Sequence, residues 1–209
     1  PGALPLSAET SMPSLENPRR LTELDAVNVI LKNSGITPVN GLGPTSKPAA
    51  TKARDMLAEE SIRLQSEGYN FCTIRGLEIT PDAITGEIAL PNNLLSMHPV
   101  GRSQADSLQE DGGRLFDYRR SSYRFDSPVT LDVVLAKPWT SLPQPARWAI
   151  TVATALRFSN AENPGGANMR LTAEDLQKAE AALEKYDRRL LKGGLRAHNP
   201  HFKRLRGNR

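Results

Sequence analysis

The side chains of this chain that can do chemistry are few and scattered. Its histidines, His98, His198 and His201, and its single cysteine, Cys72, show no metal-ligand spacing with cysteine or carboxylate neighbours, so no metal site is expected. Two acidic doublets, Glu59-Glu60 and Glu110-Asp111, have the residue types of a glycosidase pair. That chemistry needs buried, opposed carboxylates, whereas exposed helix faces and loops carry such doublets routinely. A P-loop, a G-x-G-x-x-G turn after a strand, a G-x-S-x-G elbow and an H-E-x-x-H helix are all absent. The expectation is a protein that is not an enzyme, with no catalytic residue, cofactor or metal.

What remains is binding chemistry. Lys and Arg number 27 against 23 Asp and Glu, a net charge of +4, and the excess is concentrated at one end. From Arg188 onward the chain has Arg188, Arg189, Lys192, Arg196, Lys203, Arg204, Arg206 and Arg209 and no acid, which leaves the rest slightly acidic. This basic tail, with Phe202 as its one aromatic anchor, suits an acidic protein surface or DNA phosphates; a solvated terminus is the plain alternative. Trp139 and Trp148 flank a Leu142-Pro143 turn. Core packing is the expected role for both, and above all for Trp148 among the apolar residues of its helix; a subunit contact is the sharper alternative.

The elements that position these groups can be read from periodicity and punctuation. Residues 1–20, rich in Pro, Ser and Glu, read as an extended arm. Thr22 offers an N-cap to a helix over about 22–34, with Leu24, Val27, Ile30 and Leu31 at helical spacing and Ser34-Gly35 to stop it. Pro48 opens a second helix, about 48–67, which Gly68 ends. Residues 69–135 turn to short strand-like runs, of which Val129–Leu135 alternates best, and 92–112 reads as a long contact loop. Pro143 and Pro145 start a third helix, about 143–160, apolar around most of its circumference. Thr172 caps the last, about 172–192, which Gly193-Gly194 should close before a basic tail over 193–209. The predicted fold is α+β: a bundle of N- and C-terminal helices, a small antiparallel sheet lobe and extended arms. The lone cysteine, the lack of an apolar span and the lack of a signal pattern predict a soluble chain made in a cytoplasm.

The sequence also carries a series of family motifs in order. Leu21-Thr22-Glu23-Leu24-Asp25-Ala26-Val27-Asn28-Val29-Ile30-Leu31 is followed by Ser34-Gly35-Ile36-Thr37-Pro38-Val39, then Ala53-Arg54 and Gln65-Ser66-Glu67-Gly68-Tyr69-Asn70-Phe71. Gly112-Gly113-Arg114-Leu115-Phe116-Asp117, Leu142-Pro143, Arg147-Trp148-Ala149-Ile150 and Ala155-Leu156-Arg157-Phe158 continue it. Over about 21–192 the chain resembles tail tubular protein A, the head-to-tail adaptor of short-tailed bacteriophages. It departs from that pattern in a longer Pro/Ser arm, in Trp148 where Tyr is commoner, and in the basic tail.

The resemblance implies a subunit of a dodecameric ring between the portal vertex and the hexameric nozzle, tail tubular protein B. Tail fibres would attach near that junction, and double-stranded DNA would pass through the lumen without sequence recognition. It also implies residence in the virion tail after assembly in the host bacterial cytoplasm, with no membrane partner. The candidate interface residues are Arg188, Arg189, Lys192, Arg196, Phe202, Lys203, Arg204 and Arg206 of the basic end, with Trp139 and Arg147. Two alternatives stay open: a DNA-binding accessory protein using the basic tail, and a polysaccharide hydrolase with a carboxylate pair.

Overall fold

The computed structural model describes residues 19–43, 46–101, 103, 107–162 and 170–198, the side chains after residue 191 excepted. Four helices carry the frame: α1 (Glu23–Asn33), α2 (Pro48–Ser66), α3 (Gln144–Glu162) and α4 (Ala173–His198). Their ends follow the local chemistry. Thr22 and Asp25 form a capping box, the Asp25 amide donating to Thr22 Oγ1 and the Thr22 amide to Asp25 Oδ2. Thr172 and Asp175 repeat this device at the start of α4. At the end of α1, Gly35 turns left-handed, and the amides of Gly35 and Ile36 close back onto the carbonyls of Lys32 and Leu31.

The helices assemble around α3, which packs against the other three. Ile30 and Leu31 of α1, Leu57 and Leu64 of α2, Ile150 and Phe158 of α3 and Leu183 of α4 share one core. A helix buried on so many sides must satisfy its own polar groups, and α3 does: Thr151 and Thr154, both fully buried, donate back to the carbonyls of Arg147 and Ile150. Asn33, 1% exposed, ties three elements together. Its Nδ2 donates to Ser159 Oγ at 2.8 Å and to the Ala155 carbonyl, and its Oδ1 accepts the amides of Arg170 and Leu171, which lead into α4.

The middle of the chain forms a second lobe. Strands β1 (Thr73–Ile79), β2 (Leu94–Pro99) and β5 (Val129–Leu135) make an antiparallel sheet in the order β1-β5-β2. Strands β3 (Leu108–Asp111) and β4 (Arg114–Asp117) form a separate hairpin. Val129, Leu131 and Val133 of β5 face a core completed by Ile88, Leu90, Leu108 and Leu115. The alternating β5 is thus the central strand, as its pattern requires.

Three expectations need correction. The 92–112 loop contains β2 and β3: β2 pairs along β5, and β3, polar after Leu108, is held by its hairpin partner and not by apolar content. The Gly112-Gly113 turn has both residues at positive φ, the geometry of a two-residue hairpin. The last helix does not stop at Gly193-Gly194 but runs on to His198; two glycines cost it about 1 kcal/mol each, which ordinary helix formers on either side can carry. Trp148 is 39% exposed, because it shares a stripe of α3 with exposed Gln144 and faces away from the other helices.

The lobes meet through side chains that pair with backbone. Gln65, fully buried at the end of α2, takes the Lys137 amide on Oε1 at 2.7 Å and donates Nε2 to the Lys137 carbonyl, fastening α2 to the exit of β5. Asn70 gives its amide and Nδ2 to the Asp187 carboxylate of α4. Among the described residues no helix is long and apolar enough to cross a membrane. Replacing Asn33 by Ala takes the acceptor from the Arg170 and Leu171 amides and a donor from Ser159 Oγ, which keeps Ser34, so N33A should lower stability by about 1–3 kcal/mol in urea unfolding. Exposed Ser66→Ala should stay within about 0.5 kcal/mol.

Candidate functional site

The richest polar constellation lies where the chain enters the bundle. Trp139 opens a short 3-10 turn, Trp139–Ser141, and the chain passes through Leu142 into α3. Arg147, one turn into α3, is 4% exposed. It donates to three carbonyls: Nε to Leu142 at 3.0 Å, one terminal nitrogen to Leu21 at 2.8 Å and the other to Thr140 at 2.7 Å. Trp139 Nε1 donates to the same Leu21 carbonyl at 3.1 Å, and Gln144 accepts the Leu21 amide at 2.9 Å. The backbone of Leu21 is therefore gripped on both sides.

Among the described residues this buried cation has no carboxylate partner and is stabilised by carbonyl dipoles and by the Trp139 ring 6.0 Å from its carbon. Burial, with Arg20 adding to it, draws the Arg147 pKa down, yet a guanidinium starts so high that it stays charged. The structure brings Trp139 and Arg147 together, and both hold the N-terminal entry in place.

The basic residues sit elsewhere. Arg188 and Arg189 are exposed on α4, immediately after the Asp187 that Asn70 holds. Lys192 and Arg196 continue the same helix, their side chains outside the described set. Phe202, Lys203, Arg204 and Arg206 lie outside the described residues.

The acidic doublets are engaged structurally. Glu59 pairs with Arg157 at 2.9 Å, and Glu60, though buried, is held by Arg63. Glu110 accepts the Gly113 amide in the hairpin turn, and Asp111 accepts the Tyr123 hydroxyl. Burial pushes the Cys72 thiol up to about 11, so it holds its proton at neutral pH and is no nucleophile. Among the described residues no three His, Cys, Asp or Glu side chains lie together as a metal-binding group.

Sequence reasoning passed over the residues that do most of the positioning. Asn28 brackets Val39 with two hydrogen bonds, Nδ2 to the carbonyl and Oδ1 from the amide, which fixes the Pro38-Val39 turn against α1. Asn33 and Gln65 work the same way across longer separations. Their only signal is a polar residue at an apolar position of a helical stripe.

Two comparisons bear on this geometry. A protein-family model described as Tail tubular protein matches residues 24–192, from the first turn of α1 into the last turns of α4. A protein named Tail tubular protein A, from Klebsiella phage KP34, is 32% identical over 159 residues, covering 76% of this chain and 82% of that protein.

Arg147→Ala should destabilise the fold by about 2–4 kcal/mol and speed hydrogen exchange at Leu21–Asp25, since three carbonyls lose a charged donor. Arg147→Lys should recover little of this, because an ammonium cannot reach three carbonyls in one plane.

Proposed function

We propose, since this chain belongs to the tail tubular protein family and is thereby a structural component of a bacteriophage tail, that it forms the adaptor ring between portal vertex and tail nozzle. The observation that carries this reading is the extent of the family match. It takes in both lobes and the Gln65 and Asn70 junctions between them, so the match is to the folded body and not to one motif.

The physics suits the role. A closed ring needs two different surfaces on each subunit that complement one another after a fixed rotation, here a dodecamer. A body with a helical lobe and a β lobe, locked by Gln65 and Asn70, presents such surfaces in a fixed relation. In this reading the helical part meets the portal, and the sheet lobe with the 92–112 segment faces the nozzle, tail tubular protein B, and the fibres. The segments before Leu21 and after Lys192 wrap neighbouring subunits or the portal. DNA passes through the lumen without sequence recognition. The engaged acids and protonated thiol support a role without catalysis.

The test is to mix the purified chain with the portal ring of its phage and image the mixture by electron microscopy beside the chain alone. Stacked rings that form only with the portal are the expected result. A chain that stays monomeric in the mixture and binds DNA with steep salt dependence would overturn the adaptor reading. Deleting residues 195–209 should weaken portal docking and leave the thermal unfolding of the body in place.

A further inference from the structure

The most exposed large apolar side chain among the described residues is Ile84, at 94%, on the turn that follows β1. A lone apolar residue on a surface is ordinary, but this one is held out by the turn that carries it. Asp82 Oδ1 accepts the Ile84 amide at 3.0 Å, the Thr85 amide at 2.8 Å and the Thr85 hydroxyl at 3.0 Å. The Gly86 amide closes onto the Asp82 carbonyl at 2.8 Å, the Asp82 amide onto the Glu87 carbonyl at 2.9 Å, and Gly86 takes φ +72°. The backbone of the turn is thereby fixed before any partner arrives, and Ile84 stands at its tip as a knob that loses little freedom on docking.

The same chain carries a hollow that suits such a knob. It has a volume of about 280 Å³, large enough for an isoleucine side chain, and is lined by Leu57, Ala58 and Ile62 of α2 and by Trp139, with Glu23 and Lys137 beside them. Leu57 belongs to the helical core, whereas Ile62 is 45% exposed, so the hollow opens an apolar wall to the outside. Trp139 is fixed there by the hydrogen bond from Nε1 to the Leu21 carbonyl.

Within one subunit the knob and the hollow cannot meet. Ile79 pairs with Val129 at the start of β5, and the Phe125 amide donates to the Gly86 carbonyl, so the Ile84 turn lies at that end of the sheet. Lys137 and Trp139 follow the other end, and the seven residues of β5 between them span about 20 Å. The N-terminal segment also heads away from the hollow: Arg19 reaches Asp25, on the opposite side of α1 from Glu23, and lines a separate groove with Val29 and Val39.

We infer that Ile84 of one copy seats in the hollow formed by Leu57, Ile62 and Trp139 of the next copy. The presence of both parts on one chain, on surfaces that cannot reach each other, selects this occupant. A contact between two different patches repeats from subunit to subunit and closes when the rotation between copies closes. A partner of another kind would use one of the two parts and leave the other bare.

This inference rests on the adaptor-ring reading, and the test separates the two. Ile84→Asp, Ile62→Lys and the variant with both changes are made in the full chain and mixed with the portal ring of its phage, and the chain bound in rings is measured by sedimentation. Both sites are exposed, so the free chains should unfold at the temperature of the unmodified chain. Each single change should lower the ring-bound chain about tenfold, and the two together should cost no more than either alone, because each removes the same contact. Either single variant assembling like the unmodified chain, or losses that multiply in the double variant to about a hundredfold, overturns the inference and leaves the ring reading standing. An unmodified chain that forms no ring on the portal overturns the ring reading and this inference with it.

Discussion

The fold depends on α3 being buried on almost every side. A helix in that position cannot send polar groups to water, so each must find a partner inside, and the partners it finds decide where the rest of the chain goes. Thr151 and Thr154 bond back within the helix. Ser159 reaches Asn33, which thereby orients the end of α1 and the entry to α4. Arg147 needs three carbonyls, and two of them, Thr140 and Leu142, exist at the right place only because the 3-10 turn precedes the helix. The third, from Leu21, fixes where the N-terminal segment departs.

The same principle joins the lobes. Among the described residues one hydrophobic core lies among the helices and another under the sheet. The connection between them uses amide side chains that imitate backbone, Gln65 against Lys137 and Asn70 against Asp187, with Gly68 turning the chain out of α2 at φ +80°. Such bonds are directional where apolar contact is not, so they set an angle between the lobes as well as holding them.

The elements of this fold were legible where the signal is local. Thr22, Gly35, Pro48 and Thr172 mark helix ends because capping depends on one or two side chains, and β5 is visible because it alternates. The β2 and β3 strands were not: β2 takes its hydrogen-bond partner from β5, more than thirty residues on, and β3, paired across a tight turn, is polar after Leu108. The site was legible in a different way. The ordered motifs that carried the family resemblance turn out to be the junctions: Asn28 with Val39, the Gln65–Phe71 run, the Gly112-Gly113 turn with Asp117, and Arg147. What composition made most conspicuous, the basic end, is represented among residues with described side chains by Arg188 and Arg189.

We infer that the chain is a finished body before it enters the tail, and that assembly adds contacts to its surface without building its core. Hydrogen exchange of the free chain, compared segment by segment with the same chain in purified tails, tests it most directly. The account predicts that Ala146–Ser159 of α3 and Val129–Leu135 of β5 are strongly protected in both, with new protection in tails confined to surface segments. Rapid exchange of α3 or β5 in the free chain, with protection appearing only in tails, would contradict it.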